Sequence, residues 1–337
     1  MKLRVGLVGL GEAWEKRHRP ALKTLADRFE VRAICEAVSR RAEMAAAQFD
    51  ATVVDGFQTL LRREDVDAVL VLSEQWFGWL PILAACESGK AVYLGTRLDV
   101  EAEQAQEIKQ RVEQAGIAFM AEFPRRQAPA TLRLKELIAT NLGAPRLLFC
   151  HQRLPLAEET NRSPRHRVPA STAHELVELV DWCSYVVGSP PSSVTSMMHT
   201  AGEESFQEDY RMMSLDFSDA APPGTGPIAQ ISCGRYFPAG WHEAIGYRPL
   251  AQLQAACQRG IAFVDLPATL VWFDEAGRHQ ESLDRERPVG EQLLIQFYRA
   301  VTSLVFTRSN LDDAIRARWV VEQAQRSHRE GRRIGLR

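Results

Sequence analysis

The sequence predicts an α/β fold in two parts: a doubly wound parallel sheet over residues 1–124, then an α+β domain with a mostly antiparallel open sheet over residues 125–337. Two observations carry this prediction. Short apolar runs alternate with longer stretches of helical spacing as far as Pro124, and strand-like runs then follow one another without long helices between them. A chain of 337 residues is long enough for two domains of ordinary size.

The first part contains five short runs that are rich in Val, Ile and Leu and predict strands: Val5–Leu10, Val31–Cys35, Asp67–Leu72, Ala91–Leu94 and Ile117–Ala121. Four stretches between them have helical spacing: Arg17–Phe29, Arg40–Phe49, Leu80–Ser88 and Glu101–Ala115. Continuously apolar strands that alternate with helices are typical of a parallel sheet covered on both faces. Right-handed crossovers then favour the doubly wound arrangement.

The second part has a different rhythm. Its predicted helices are few: Ala130–Thr140, Ser171–Val187, Gly290–Thr302 and Leu311–Gln325. Its predicted strands are Leu147–Gln152, Met212–Phe217, Ile228–Tyr236, Ile261–Pro267 and Thr269–Phe273. Successive strands without intervening helices favour antiparallel pairing and therefore an α+β domain.

Charge and hydropathy exclude several classes of protein. The 41 basic and 43 acidic residues give a net charge of −2 without long blocks of one sign, which disfavours a nucleic-acid-binding protein. No apolar run approaches the roughly 20 residues that cross a bilayer, and no signal peptide precedes the first predicted strand. The six cysteines are scattered without a C-x-x-C pair, so we expect reduced thiols in a cytoplasmic protein without a membrane span.

A glycine-rich turn follows the first predicted strand directly and opens the first predicted helix. Its residues are Gly9, Leu10, Gly11, Glu12 and Ala13. Two glycines at this point of a βαβ unit allow backbone N–H groups to approach a pyrophosphate at a helix N-terminus. The turn therefore predicts a Rossmann domain that binds a dinucleotide.

An acidic residue ends the second predicted strand, where a carboxylate accepts hydrogen bonds from the adenosine ribose in NAD-binding folds. That residue is Glu36, and it favours NAD as the cofactor. Arg40 and Arg41 follow closely and keep NADP open, because either could pair with a 2′-phosphate. The alternative for Glu36 is a solvated loop carboxylate.

With these features the chain resembles the glucose–fructose oxidoreductase/inositol dehydrogenase (Gfo/Idh/MocA) family. The resemblance continues through Val66–Val71, Ala84–Val92, Leu134–Gly143 and Asp312–Val321. It implies a homodimer or homotetramer formed through the C-terminal sheet, and an NAD(P)-dependent oxidoreductase acting on a small sugar-like or polyol-like substrate. Ser73 and Gln75 fall in the loop that flanks the cofactor in the family, and Arg126 matches a common arginine, so all three are expected at the cofactor site.

The substrate side departs from the family pattern. Where the family carries Glu-Lys-Pro after the fifth strand, this chain has Gly95, Thr96 and Arg97, of which only Arg97 supplies a positive charge. On the helix near Ser171 the family's Asp, His and Asp positions hold His174, Glu178 and Asp181, which share one helix face. His174 is the expected proton acceptor, with Glu178 orienting it. A polar helix face without chemistry is the alternative.

Three further hypotheses arise from the same regions. His174 and Glu178 resemble part of an H-E-x-x-H zinc motif that Asp181 could join, although the resemblance favours a metal-free site. Trp14, Trp76 and Trp79 are predicted at the rim of the cofactor cleft, where they could stack on a ring or block entry, and a catalytically inactive binding or assembly protein is then the rival function. A basic loop formed by Arg162, Arg165, His166 and Arg167, together with Arg97, favours an anionic sugar derivative as substrate.

Overall fold

The computed structural model describes residues 2–73, 77–96, 98, 100–156, 172–200, 209–218, 222–237, 241, 243, 251–303 and 310–336, except for the side chains of 172–174. The chain forms two compact units. The first contains Met1–Pro124 and Arg287–Ile315, and the second contains Arg125–Glu286 and Arg316–Arg337. The sequence prediction kept all of residues 125–337 together, so the return of 287–315 to the first unit differs from it.

The first unit is built on a six-stranded parallel sheet with the order β3-β2-β1-β4-β5-β6. Its strands are β1 (Leu3–Val8), β2 (Phe29–Cys35), β3 (Thr52–Val53), β4 (Ala68–Val71), β5 (Ala91–Leu94) and β6 (Phe119–Ala121). The strand order reverses between β1 and β4, which is where doubly wound folds bind their ligands. The predicted doubly wound parallel sheet is confirmed; the short β3 was not predicted.

The helices of the first unit cover the sheet. They are α1 (Arg19–Thr24), α2 (Ser39–Phe49), α3 (Phe57–Leu61), α4 (Leu80–Glu87), α5 (Ala102–Ala115) and, from the end of the chain, α8 (Val289–Thr302). Helix α8 buries Leu293, Leu294 and Phe297 in the same apolar cluster as Leu3 and Leu7 of β1. This packing explains its place in the first unit.

The predicted helix Arg17–Phe29 is interrupted in the structure. A π-helical turn, Trp14–His18, precedes α1, which ends at Thr24. Pro20 suits the first turn of α1 because its missing N–H would have no partner there. Phe29 belongs instead to β2, where it is 4% exposed, so its hydrophobic burial against the sheet outweighs the helical spacing.

The second unit is built on a nine-stranded sheet with the order β14-β13-β12-β11-β7-β10-β9-β8-β15. Its strands are β7 (Pro145–Pro155), β8 (Ser193–Thr200), β9 (Asp209–Asp216), β10 (Ile228–Phe237), β11 (Leu253–Cys257), β12 (Ile261–Asp265), β13 (Thr269–Asp274), β14 (Gly277–Ser282) and β15 (Ile334–Gly335). All described pairings are antiparallel except that of β7 with β10. The predicted mostly antiparallel α+β architecture is confirmed.

One face of this sheet packs on helices and forms the core of the second unit. The helices are α6 (Pro129–Leu137), followed by a π-helical turn (Ile138–Leu142), α7 (Thr172–Val187) and most of α9 (Leu311–Glu330). Leu176, Leu179, Val180 and Val186 of α7 are fully buried in this core. None of the helices in the described ranges is long and apolar enough to span a bilayer.

Candidate functional site

The glycine turn packs directly against the end of β4. The backbone of Gly9 has a φ of +73°, and a side chain there would place its Cβ 1.8 Å from Ser73 Oγ. A Cβ on Gly11 would lie 1.9 Å from the carbonyl oxygen of Leu72. Only glycine fits at either position, and the turn consequently lies at the switch point between β1 and β4.

Glu36 reaches the same turn from the end of β2. Its side chain is 2% exposed, and its carboxylate accepts hydrogen bonds from the backbone N–H of Leu10 (2.6 Å) and of Val38 (3.3 Å). Arg41 lies 3.8 Å from this carboxylate and donates to the carbonyl of Leu10. Glu36 is therefore not a solvated loop residue. Its carboxylate and the guanidinium group of Arg41 lie side by side at the turn.

Ser73 contributes a buried hydroxyl at the other side of the turn. The residue is 4% exposed, and its Oγ has no hydrogen-bond partner among the described residues. A cradle that admits only glycine, with a carboxylate on one side and an unsatisfied hydroxyl on the other, fits a bound dinucleotide. Glu12 lies on the exposed side of the turn and Ala13 is half-buried, whereas Gln75 falls outside the described residues.

The sequence analysis predicted Trp14 at the rim of the cofactor cleft, but the structure places this residue in the core. It is 3% exposed and packs in the core of the first unit, with its ring centroid 5.9 Å from that of Phe49 on α2. Trp79 is half-buried against the apolar cluster on the other face of the sheet, and Trp76 falls outside the described residues. The large apolar surface of Trp14 is better buried under the turn than left exposed beside it.

The structure adds a buried polar cluster that the sequence analysis missed. Glu122 directly follows β6, and its side chain is 3% exposed. The carboxylate accepts from the Tyr93 hydroxyl (2.8 Å), lies 2.7 Å from His18 Nε2 and forms an ion pair with Arg17. Burial alone would raise the pKa of Glu122, but His18, Arg17 and Tyr93 outweigh it and hold that pKa below its ordinary value.

In the second unit, Arg125 holds two carboxylates of α7. Its guanidinium donates to Glu178 (3.1 Å) and to Glu175 (3.2 Å), and it stacks over the Trp182 ring at 5.6 Å. Burial alone would lower the pKa of Arg125, yet these carboxylates raise it. Glu178 therefore has a guanidinium partner that sequence reasoning did not identify. The available signal was the spacing of Glu175 and Glu178, because two carboxylates three residues apart lie on the same side of a helix and can share one cation.

Arg126 binds Asp181, the third polar residue of this helix face. Its Nε donates to Oδ2 at 2.7 Å and its Nη2 donates to Oδ1, in the forked geometry that suits a carboxylate. The Asp181 side chain is 2% exposed. Arg126, expected at the cofactor site, thus has its guanidinium engaged with Asp181, and its ring neighbour is Tyr185 at 5.3 Å.

The remaining predicted residues fall outside the described part of the chain. They are Arg97, the side chain of His174, and the loop residues Arg162, Arg165, His166 and Arg167. Among the residues that the structure describes, no group of three His, Cys, Asp or Glu side chains is placed to hold a metal ion.

Curated relatives match part of the chain. It is 31% identical over 170 residues to inositol 2-dehydrogenase 3 of Saccharopolyspora erythraea, with 48% of each chain covered. It is 32% identical over 183 residues to inositol 2-dehydrogenase of Acidothermus cellulolyticus, with 53% of each covered. The chain spans about half the length of the curated relatives it matches.

The fold matches solved structures over their full length. Aldose-aldose oxidoreductase of Caulobacter crescentus, solved with glycerol, superposes with a TM-score of 0.82 at 15% identity, covering 99% of this chain and 100% of the other. Residues 3–123 match the model of an oxidoreductase family with an NAD-binding Rossmann fold. The resemblance to the Gfo/Idh/MocA family of oxidoreductases that the sequence analysis stated is thus confirmed for residues 3–123.

Proposed function

We propose that the protein is an NAD(P)-dependent dehydrogenase-like oxidoreductase that acts on a sugar-like or polyol-like small molecule. The observation that carries the proposal is the glycine turn, with Glu36 and the buried Ser73 hydroxyl beside it. Gly9–Ala13 would hold the pyrophosphate, and Glu36 would bind the adenosine ribose. A bound nicotinamide cofactor supplies the hydride chemistry, so the chain itself has to bind, orient and move a proton.

We assign the role of proton acceptor from the substrate to His174. Glu178 and Asp181 on the same helix accept hydrogen bonds from Arg125 and Arg126, which suits them to orient neighbouring groups. Imidazole is the side chain whose ordinary titration range suits a general base at neutral pH. The rival function is an inactive binding or assembly module, and one argument for it was that Trp14 could block the cofactor cleft. That argument no longer holds, because Trp14 is buried in the core.

Dinucleotide binding is the first test. Titration of the protein with NADH and NADPH, followed by nicotinamide fluorescence, is expected to show binding of both with NADH preferred. Glu36→Ala should weaken NADH binding by about tenfold, which corresponds to the loss of one charge-assisted hydrogen bond. It should also reduce the preference for NADH over NADPH. Glu30→Ala is the matched control, since Glu30 is a carboxylate of β2 that pairs with Arg32.

Equal affinities for NADH and NADPH in the unmodified protein would contradict the role of Glu36. No binding of either at millimolar concentration would leave only the inactive module. Oxidation of a panel of polyols and sugars with NAD then identifies the substrate, and His174→Ala should remove turnover while leaving NADH binding intact.

We further propose that the substrate is a small anion, such as a sugar acid or a sugar phosphate. This proposal rests on the basic residues that the sequence places in one loop and at Arg97. Thermal melts should show stabilisation by the anions and not by the corresponding neutral sugars, because a ligand that binds only the folded state raises the melting temperature. Changing Arg97 and Arg165 together to alanine should reduce that shift. Stabilisation by neutral sugars alone would refute an anionic site.

We also propose that two copies associate through the free face of the nine-stranded sheet. Leu147, Phe149 and Phe273 lie on this face and are about 40% exposed (43%, 40% and 39%). Strand register places Phe149, Gln254, Phe263 and Val271 in one row across four strands. A sheet face that exposes several large apolar side chains is typical of a subunit interface.

The oligomeric state tests this surface. Light scattering after gel filtration should give twice the chain mass of 37.8 kDa for the unmodified protein. Phe149→Glu should give the monomer mass, because a charge at the centre of an apolar interface is left unpaired. Met44→Glu changes an apolar residue of α2 that is more exposed than Phe149, and this variant should stay dimeric. A monomeric unmodified protein would exclude the interface.

A cytoplasmic location remains our expectation. All six cysteines are unpaired in the structure, and all but Cys86 are buried. Reduced, buried thiols of this kind suit a reducing compartment.

A further inference from the structure

The buried cluster around Glu122 joins three separate elements of the first unit. His18 and Arg17 belong to the π-helical turn that follows the glycine turn, Tyr93 belongs to β5, and Glu122 follows β6. His18 and Tyr93 are fully buried, and the Glu122 side chain is 3% exposed. The carboxylate therefore ties the start of the first helical segment to the ends of two strands.

Stability alone does not account for this cluster. A buried ion pair is often no more stabilising than well-packed apolar side chains of the same volume, because both charges must lose their water. The cluster is also incompletely paired: Arg17 Nε and His18 Nδ1 are buried and have no hydrogen-bond partner among the described residues. Unsatisfied buried polar atoms in a native fold call for an explanation, and a functional role is one of the known explanations.

The position of the cluster indicates what that function is. Glu122 and Tyr93 lie at the carboxyl ends of their strands, the edge at which doubly wound sheets bind ligands. A Cβ on Gly95, just after β5, would lie 3.0 Å from Glu122 Oε2, so the carboxylate lies immediately beneath this edge. The π-helical turn is a second sign, since such turns are frequent at functional sites.

We propose that Glu122 is a positioning residue for the dinucleotide site, acting through His18 and Arg17. By holding the π-helical turn, it fixes the backbone N–H groups of the preceding glycine turn in the geometry that a pyrophosphate requires. This inference rests on the proposed function, because it concerns the same cofactor site. It assigns the role to a carboxylate that touches neither cofactor nor substrate.

The test measures cofactor affinity and local order separately. Glu122→Gln keeps the size of the side chain and removes its charge; it should weaken NADH and ADP-ribose by the same factor, about tenfold, because both ligands carry the pyrophosphate. Without ligand, the amides of Leu10–Arg17 should exchange with deuterium faster than in the unmodified protein. Tyr93→Phe removes one hydrogen bond to Glu122 and should give a smaller loss in the same direction.

Asp67→Asn is the matched control. Asp67 pairs with Arg4 at the opposite, amino-terminal edge of the same sheet, so its loss should lower thermal stability without changing ligand affinity or exchange in the turn. Weakening by Asp67→Asn equal to that by Glu122→Gln would reduce the cluster to a structural element. Loss of NADH affinity without loss of ADP-ribose affinity would also overturn the proposal.

The outcomes distinguish this inference from the proposed function. If the unmodified protein binds neither ligand, the proposed function fails and the assignment of Glu122 fails with it. If the unmodified protein binds both and Glu122→Gln binds them equally well, only the positioning role is refuted. If Glu122→Gln does not fold, unchanged affinities in Tyr93→Phe refute it instead.

Discussion

Gly11→Ala is expected to abolish dinucleotide binding and to lower the free energy of unfolding by about 3 kcal/mol, the upper part of the range for an overpacked site. The added Cβ would meet the Leu72 carbonyl oxygen at 1.9 Å. That oxygen belongs to the backbone at the end of β4, so it cannot rotate away as a side chain could. The turn must move as a whole, and the N–H groups aimed at the pyrophosphate move with it.

Urea unfolding and NADH titration of the same preparation check both halves of this expectation. Gly56→Ala is the control, because a Cβ on Gly56 meets nothing within 4 Å and its backbone is extended. It should keep the stability and the affinity of the unmodified protein. NADH affinity that survives Gly11→Ala would show that the turn is not the binding element.

Arg126→Met is expected to be the most destabilising single change in the second unit. It leaves the carboxylate of Asp181, 2% exposed, without its forked partner, and removal of one member of a buried pair costs about 3–5 kcal/mol. The loss is measurable as a lower midpoint in urea. The double variant Arg126→Met with Asp181→Leu should recover most of it, since an apolar pair carries no buried charge.

An exposed ion pair of the same unit supplies the comparison. Arg326 and Glu330 are paired on α9 with side chains 49% and 33% exposed, and Arg326→Met should cost less than about 1 kcal/mol. If Arg126→Met is as mild as Arg326→Met, the forked pair of Arg126 and Asp181 does not stabilise the second unit. If the double variant is no more stable than Arg126→Met, the pair contributes through its shape and not its charge.

The sequence predicted well those features that depend on local patterns. The alternation of apolar runs and helical stretches fixed the parallel sheet, and the glycine turn with Glu36 was located because strand, turn and acid follow one another along the chain. Glu36 proved to be buried at the turn. The ends of the elements were predicted less well, as at Phe29, where burial in β2 overrides helical spacing.

Features that depend on distant partners were not predictable in this way. The apolar spacing of α8 indicates a helix but not which unit that helix covers. The sequence around Trp14 likewise does not show whether its side chain faces a cleft or the core. The partners of Glu122 are more than 25 residues away in the chain, at positions 17, 18 and 93. A carboxylate directly after a predicted strand was nevertheless the signal that also identified Glu36.

The return of Arg287–Ile315 to the first unit has a consequence for synthesis on the ribosome. The six strands of the first sheet are complete once Ala121 has emerged, but α8, which covers Leu3 and Leu7, is made only after β7 to β14 of the second unit. Until then this apolar surface of the nascent chain has no cover. Such surface makes partly synthesised chains prone to aggregation and dependent on chaperones. The first unit therefore cannot finish folding until α8 has been made, although all its strands are translated much earlier.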